Sequence, residues 1–463
     1  MNSNKYILEQ PDYGSMHLKC SRVFFILIIL LGFTGCSIIT GDVNMEGILT
    51  ITPEEVELGV GEQTSFEYDI IQSPSEPKLQ IQWRLAPEDI AEFDEYRSLT
   101  ALGIGEVFVI AEAFDKNGDL VTSDSSRVRI THQYVNINGD LRSIAKVIKD
   151  ERLFVTGFDP ALRFSDDGGV QWQIASGINP SYQLNELNRS VIDPERIATN
   201  YYDQDFSTTS IQSVGMLVSE DNGESWVKTA PPIPPGSGAE LGWVYDVKFS
   251  NVDANTLYVL SSVNREPLVL KSTDLGNSWS SLASFELHTS SNPNLFIDPV
   301  DEDVIYVSAA GQVSWSGGVV SKDGGQSWTQ WGITATETVF DITDSGMLLG
   351  RAFAGNSTYS EEQIVGSVDQ ASSWQVLLEP DSDVDYVDVN AFGDDCIAVL
   401  TRNKQIIVST DRGENWQAFD LIRNDQIGTN WVTGFRMVSC EEEKAEFLVL
   451  WANYLVKHGI FMD

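Results

Sequence analysis

The nine residues Val320–Trp328, VSKDGGQSW, set Ser321, Asp323, Gly325 and Trp328 at a spacing that returns along the chain. Full copies are FSDDGGVQW (Ser165, Asp167, Gly169, Trp172), VSEDNGESW (Ser219, Asp221, Gly223, Trp226), KSTDLGNSW (Ser272, Asp274, Gly276, Trp279) and VSTDRGENW (Ser409, Asp411, Gly413, Trp416). A worn copy, GSVDQASSW, keeps Ser367, Asp369 and Trp374 but has Ala371 in place of glycine. The residue types suit one tight turn. Serine and aspartate oxygens accept hydrogen bonds from loop N–H groups, closing an Asx-type turn. Glycine supplies a positive φ at little steric cost. The tryptophan opens the next strand and covers the turn with a large apolar face. Ala371 is expected to cost on the order of 1 kcal/mol locally, because a left-handed alanine is sterically disfavoured.

Successive copies stand 42 to 54 residues apart, so each belongs to one repeating supersecondary unit. The clearest unit reads WVYDVKFS, turn, LYVLSS, loop, PLVLKS, the Ser-Asp turn, then SWSSLAS. That is four strands with the motif between the third and fourth. The motif matches the Asp-box (BNR) repeats of β-propellers, and the resemblance implies a ring of four-stranded blades. About 330 residues at about 47 per repeat give seven blades, within the range of such rings. Six carry boxes. The seventh is expected from WVTGFRMVS, EFLVLWA and KHGIFMD, with its outer strand supplied by QYVNING, residues 133–139, since an open edge strand is otherwise left.

Ahead of the repeats, residues 47–132 read as short alternating strands between Gly, Pro and Asp turns, an all-β sandwich. LGVGEQ, Trp83 in IQWRL, LTALGIGEVFVIAEA and the closing VRIT resemble a bacterial Ig-like domain of the Big type. Such modules act as spacers or adhesive units, and Trp83 is read as a core residue. The expected fold is therefore all-β: an Ig-like sandwich at 47–132 followed by a seven-bladed propeller at 133–463.

Residues 1–36 are read as an export signal. RVFFILIILLGFTG, 22–35, is short for a membrane span, follows Lys19 and Arg22, and ends at a small residue. Initiation at Met16 would leave a signal of ordinary length. The ending FTGC resembles a lipoprotein lipobox, with Phe33 where leucine is usual, which implies lipidation of Cys36 and a membrane-anchored place in a bacterial cell envelope. Residues 37–46 form a polar linker. Of the four cysteines, Cys20 lies in the signal, so Cys396 and Cys440 are left as a candidate disulfide or as two free thiols.

The 68 acidic and 29 basic side chains give a net charge of −39, which repels phosphate backbones and argues against nucleic acid as a partner. There is no CxxC metal spacing, phosphate loop or Ser-His-Asp pattern, and His132, His288 and His458 are scattered, so neither metal nor cofactor is expected. The aspartates of the repeated motif are read as structural. The ligand face is expected opposite the boxes, in loops 199–210, 230–243, 261–267, 309–318, 351–363 and 420–431. These carry Tyr201, Tyr202, Trp243, Trp315, Tyr359 and Trp431 as candidate ligand-binding aromatics, suited to sugar or peptide faces.

Asp-box propellers are similar to sialidases, other glycosidases, sortilin-type receptors and photosystem assembly factors. A sialidase calls for an Arg-Ile-Pro motif, absent here, and for three converging arginines, for which Arg189, Arg265 and Arg351 are available. A glycosidase needs two carboxyls across a cleft, for which Asp203, Asp205, Glu361 and Glu362 are available. The expected function is a lipid-anchored protein binding a protein or glycan ligand, with a glycoside hydrolase as the alternative.

Overall fold

The computed structural model describes residues 48–462 except 73–76, 137–139, 145–151, 159–161, 206–209, 231, 233–240, 264–265, 285–292, 310–316, 332–337, 354–361, 380–385, 403, 422–431, 442 and 452–453. All of its regular elements are strands.

The amino-terminal unit packs a hairpin-like pair (Ile48–Thr52 with Glu67–Ile71) and a small sheet (Gln63–Ser65, Ser98–Ala101, Ala91–Phe93) on a larger one. The larger sheet contains Gln80–Ala86, Gly105–Phe114 and Leu120–Asn136, with Glu55–Gly59 parallel to the last. Strict alternation in GEVFVIAEAF buries Val107, Val109, Ala111 and Ala113 on one face, against Phe66, Leu99, Val128 and Ile130. Trp83 packs at the margin of this core, 5.9 Å from Tyr68 and 5.7 Å from Phe93.

Six four-stranded antiparallel sheets follow in chain order, each a propeller-like blade. Sheet 1 is Asp140–Ile144, Leu153–Phe158, Leu162–Ser165 and Gln173–Ile174; sheet 2 is Tyr182–Arg189, Ile197–Asp205, Ser210–Ser219 and Val227–Lys228. Sheet 3 is Leu241–Phe249, Leu257–Val263, Glu266–Ser272 and Ser280–Ser284; sheet 4 is Asn294–Ile297, Val304–Ala309, Gly317–Lys322 and Thr329–Trp331. Sheet 5 is Thr338–Ile342, Leu348–Phe353, Glu362–Ser367 and Gln375–Leu378; sheet 6 is Tyr386–Phe392, Cys396–Thr401, Gln405–Ser409 and Gln417–Asp420. Second strands such as CIAVLT are buried on both faces, because each lies between two neighbouring sheets and its residues are apolar almost without interruption.

Sheet 7 has Val432–Cys440, Lys444–Trp451 and Tyr454–Phe461, and its fourth strand comes from residues 132–136. Those residues are the end of Leu120–Asn136, a 17-residue strand whose earlier part belongs to the amino-terminal unit. The domain boundary expected at 132/133 thus falls inside one strand, and a single sheet runs through both units. First strands of successive sheets adjoin, and that of sheet 7 adjoins that of sheet 1.

In each repeated turn the serine hydroxyl donates to the aspartate Oδ1, at 2.8 Å in the full copies and 2.9 Å in the worn one. The same hydroxyl oxygen accepts the N–H of Gly169, Gly223, Gly276, Gly325 and Gly413, and of Ala371 in the worn copy. The aspartate Oδ1 then accepts a further N–H, for example from Ser327 at 2.8 Å. Ser373 holds the carboxyl of Asp369 down at about 2, and Ser225, Ser278 and Ser327 likewise lower Asp221, Asp274 and Asp323.

The turn holds two left-handed residues rather than one. The glycine position has φ between 83° and 90° in the full copies, and the residue before it is also positive: Asn222 56°, Leu275 53°, Gln370 58°, Arg412 63°. That conformation is compensated in sheets 2, 3 and 6, where the N–H of Asn222, Leu275 and Arg412 reaches the carbonyl of Glu195, Asn255 and Asp395 in the turn between first and second strands. Ala371 adopts φ 61°, and its buried methyl joins a core with Tyr306 and Leu348. Burial of one methyl, worth about 0.8 kcal/mol, offsets most of the left-handed penalty of about 1 kcal/mol.

Candidate functional site

Within each blade the register separates a box end from a loop end. In sheet 3, Phe249, Leu257 and Ser272 align at the box end, whereas Leu241 and Val263 align at the other. Between the ends, at mid-height on the first strands, a group of charged side chains converges.

Asp246, Asp341 and Asp388 each follow a break in register on their strand, and each precedes a valine or isoleucine. Such bulges re-aim a side chain. One oxygen of each accepts the next residue's N–H: Val247 at 2.8 Å, Ile342 at 2.9 Å, Val389 at 2.9 Å. The other reaches across to a further sheet: Asp246 to the N–H of Leu295, Asp341 to that of Ala391, Asp388 to Nη1 of Arg436 at 3.4 Å. Lys248 closes on Asp246 at 2.8 Å. Glu186 and Arg436 complete the group, since Arg436 feels the charges of Asp388, Asp341, Glu186 and Asp246.

Burial pushes the Asp388 carboxyl up to about 6, with Arg436 opposing and Asp341 adding to the rise. Glu186 is raised by burial and then by Asp246. Burial disfavours the charge on Arg436, yet the four carboxylates outweigh it and raise its pKa. The Asn390 amide is fully buried on the Asp388 strand and, among the described residues, makes no hydrogen bond in good geometry. With both oxygens of Asp246 and Asp341 accepting backbone N–H groups, one of them from a neighbouring sheet, this cluster braces adjacent sheets. Sequence reading missed it because any single Asp among so many acids carries little information; the recurrence of YDV, FDI and VDV on first strands was the available signal.

At the loop end the predicted residues divide. Trp243 is 48% exposed, lies at the start of the sheet 3 first strand, and rests on Tyr202 with ring centroids 4.9 Å apart. Tyr202 itself is buried, and its hydroxyl donates to the Val244 carbonyl at 2.5 Å. Burial raises its pKa well above the ordinary phenol value. Tyr201 is buried too, stacked on Tyr182 at 4.3 Å beneath Lys228. Both tyrosines were expected on a ligand face; the alternation of their strand instead turns one into the core within sheet 2 and its neighbours and the other under Trp243. Asp203 accepts a hydrogen bond from Ser181 at 2.7 Å. Asp205 ends a described strand, but its side chain, like Trp315, Tyr359, Glu361 and Trp431, lies outside the described residues.

Arg189 and Arg351 do not converge. Arg189 lies at the box end, donating to the Arg152 carbonyl and to Asn222 Oδ1. Arg351 lies toward the loop end, paired with Glu362 at 3.2 Å and donating to the Tyr386 carbonyl. Arg265 is outside the described residues. A cavity of about 640 Å³ separates the amino-terminal unit from the box end of sheets 6 and 7, and its Arg127 and Lys444 are neutralised by Glu106 and Glu446, both at 2.6 Å. Among the described residues no group of three or more His, Cys, Asp or Glu side chains is placed to hold a metal ion. Cys396 and Cys440, on adjacent sheets 6 and 7, form a disulfide with Cα atoms 6.4 Å apart.

The repeated four-stranded sheets make the chain a β-propeller-like protein. Crystal structures of a GH74 enzyme from Niastella koreensis and of the GH74 xyloglucanase from Xanthomonas campestris superpose with TM-score 0.52 at 13% and 14% identity, over 70% of this chain. The matched region spans 52% and 53% of those chains, about half their length. YCF48 bound to D1 peptide aligns over 71% of this chain and 95% of its own, with 15% identity and TM-score 0.49. No protein-family description and no curated protein sequence matches the chain. At these identities the likeness is one of fold.

Proposed function

We propose that the chain is a lipid-anchored cell-envelope protein that presents a seven-bladed Asp-box propeller to a protein or glycan ligand. In this reading the seven sheets close into a ring, residues 47–132 are an Ig-like spacer, and Cys36 carries the lipid. The observation that carries the binding role is Trp243. An exposed indole, held at a set angle on a buried tyrosine at the loop end, is a pre-organised platform for a sugar ring or an apolar peptide side chain. The pairing of sheet 7 with residues 132–136 supports closure, and the Ser-Asp hydrogen bonds at six turns support the Asp-box assignment.

The test is a glycan array and a peptide panel on the exported chain, followed by hydrolysis assays on xyloglucan and sialosides. Trp243→Ala is expected to weaken the best ligand about tenfold or more with folding intact, as loss of a central aromatic anchor does. Unchanged binding in that variant would remove the platform, and turnover of any substrate would move the protein to the glycoside hydrolases. For the anchor, Cys36→Ser is expected to abolish acyl labelling and release the chain from the membrane fraction; persistent labelling would end the lipobox reading.

A further inference from the structure

Two of the histidines, scattered in the sequence, are brought together. The register places Met437, Phe447, His458, His132 and Gly59 in one row across five strands, passing from sheet 7 into the amino-terminal unit. All four side chains in the row are buried. Gly59 is required there: a Cβ would stand 2.5 Å from Nε2 of His132. The Thr131 hydroxyl donates to Glu57 at 3.0 Å, so its oxygen accepts from Nδ1 of His132 at 3.2 Å. That places the His132 proton on Nδ1 and sets Nε2 against Gly59, inside the row of buried side chains. His458 makes no side-chain hydrogen bond among the described residues and lies between Phe447 and His132.

We propose that this row is an acid-sensitive joint, in which protonation of the His132–His458 pair unpairs residues 132–136 from 454–458 and loosens the amino-terminal unit from sheet 7. The cost of protonation has two sources, burial in a row shared with Met437 and Phe447 and two like charges on facing strands. The charged groups around the pair do not cancel it. Glu62 and Glu57, from the Glu55–Gly59 strand and its turn, favour the charged form of His132, but burial outweighs both. On the neighbouring strands Lys444 and Lys457 are engaged by Glu446, and Glu106 is engaged by Arg127 and Arg129. Burial, and then His132, hold His458 down at about 4.

Both imidazoles are held below their ordinary value, so the opened joint binds protons first. Stability of the joint is complete above about pH 6.5 and is lost as pH falls toward 4. Asp388, raised in the folded state, works in the opposite direction on global stability, so the readout must be local.

Hydrogen exchange of the full chain, corrected for intrinsic rates, tests the joint at pH 7.5 and 5.0. Protection in 454–461 is expected to fall about 30-fold at pH 5.0, the linkage ratio for one imidazole at about 4 closed and about 6.5 open. Strands 257–263 and 396–401 are expected to stay protected. His458→Leu, which suits the Met-Phe row, should hold protection constant across this range; His458→Gln gives the same comparison if leucine prevents folding. Equal loss in all sheets, no pH response in 454–461, or the same drop in both variants would each overturn the proposal.

Discussion

Replacing Gly318 by alanine is expected to destabilise the chain by about 3 kcal/mol or more, among the largest effects any single methyl can have here. Gly318 lies on the third strand of sheet 4, opposite Ser308 on one side and Trp331 on the other. A Cβ would meet the Trp331 ring and the Val307 carbonyl oxygen, each at 2.3 Å. The ring has little freedom to withdraw, being buried and set edge-on to Tyr306 at 6.2 Å. The carbonyl has less, because Val307 is paired on both sides within the sheet. The indole covers the bare glycine backbone, much as aromatics rescue glycines in designed sheets. The urea midpoint of Gly318→Ala checks this, and adding Trp331→Ala should restore only the part due to the ring. A single variant that unfolds at the wild-type midpoint would refute the argument.

The second large effect is loss of the Cys396–Cys440 bond. It closes a loop across a sequence separation of 44 and ties sheet 7 to sheet 6 at the box end. On the chain-entropy account a loop of this length contributes about 4 kcal/mol. The Cys396→Ala/Cys440→Ala double variant is expected to lose that amount, and reductant should destabilise the wild type equally while leaving the variant unaffected. Alanine is chosen because Cys396 is buried, and serine would add an unpaired hydroxyl. Equal unfolding midpoints for the oxidised and reduced wild type would show that the bond contributes nothing to stability.

Much of the fold was legible because it is written in turn chemistry. Ser321, Asp323, Gly325 and Trp328 each perform a local task that no other residue type does as well, so the repeat, the four-strand order and the outer strand of sheet 7 could be read directly. The second left-handed residue of the turn could not, since Leu275 and Arg412 give no sign of it; their conformation is compensated by a carbonyl about 20 residues away in the same blade. Candidate site residues were harder. A blade is packed on both faces, so alternation along 197–205 does not say which aromatic meets solvent, and Tyr201 and Tyr202 both lie inside. The histidine row was beyond reach for a different reason: His132 and His458 are about 320 residues apart, and only the register joins them.

That register also sets an order of events during synthesis. Residues 120–130 can pair with 105–114 as soon as the amino-terminal unit emerges, which leaves 132–136 projecting as an edge with unmet N–H and C=O groups. Its partner, Tyr454–Phe461, is made about 320 residues later, after six sheets have had time to form. Pairings so distant in sequence are slow, and a waiting edge is where chains pair with the wrong partner. Val135 and Tyr134 on that edge make it sticky, while Lys457 on the incoming strand is its only charged partner residue among 454–458. Nascent chains that stop short of residue 454 should therefore self-associate through 132–136, and a chaperone acting on this protein would be needed longest at that one stretch.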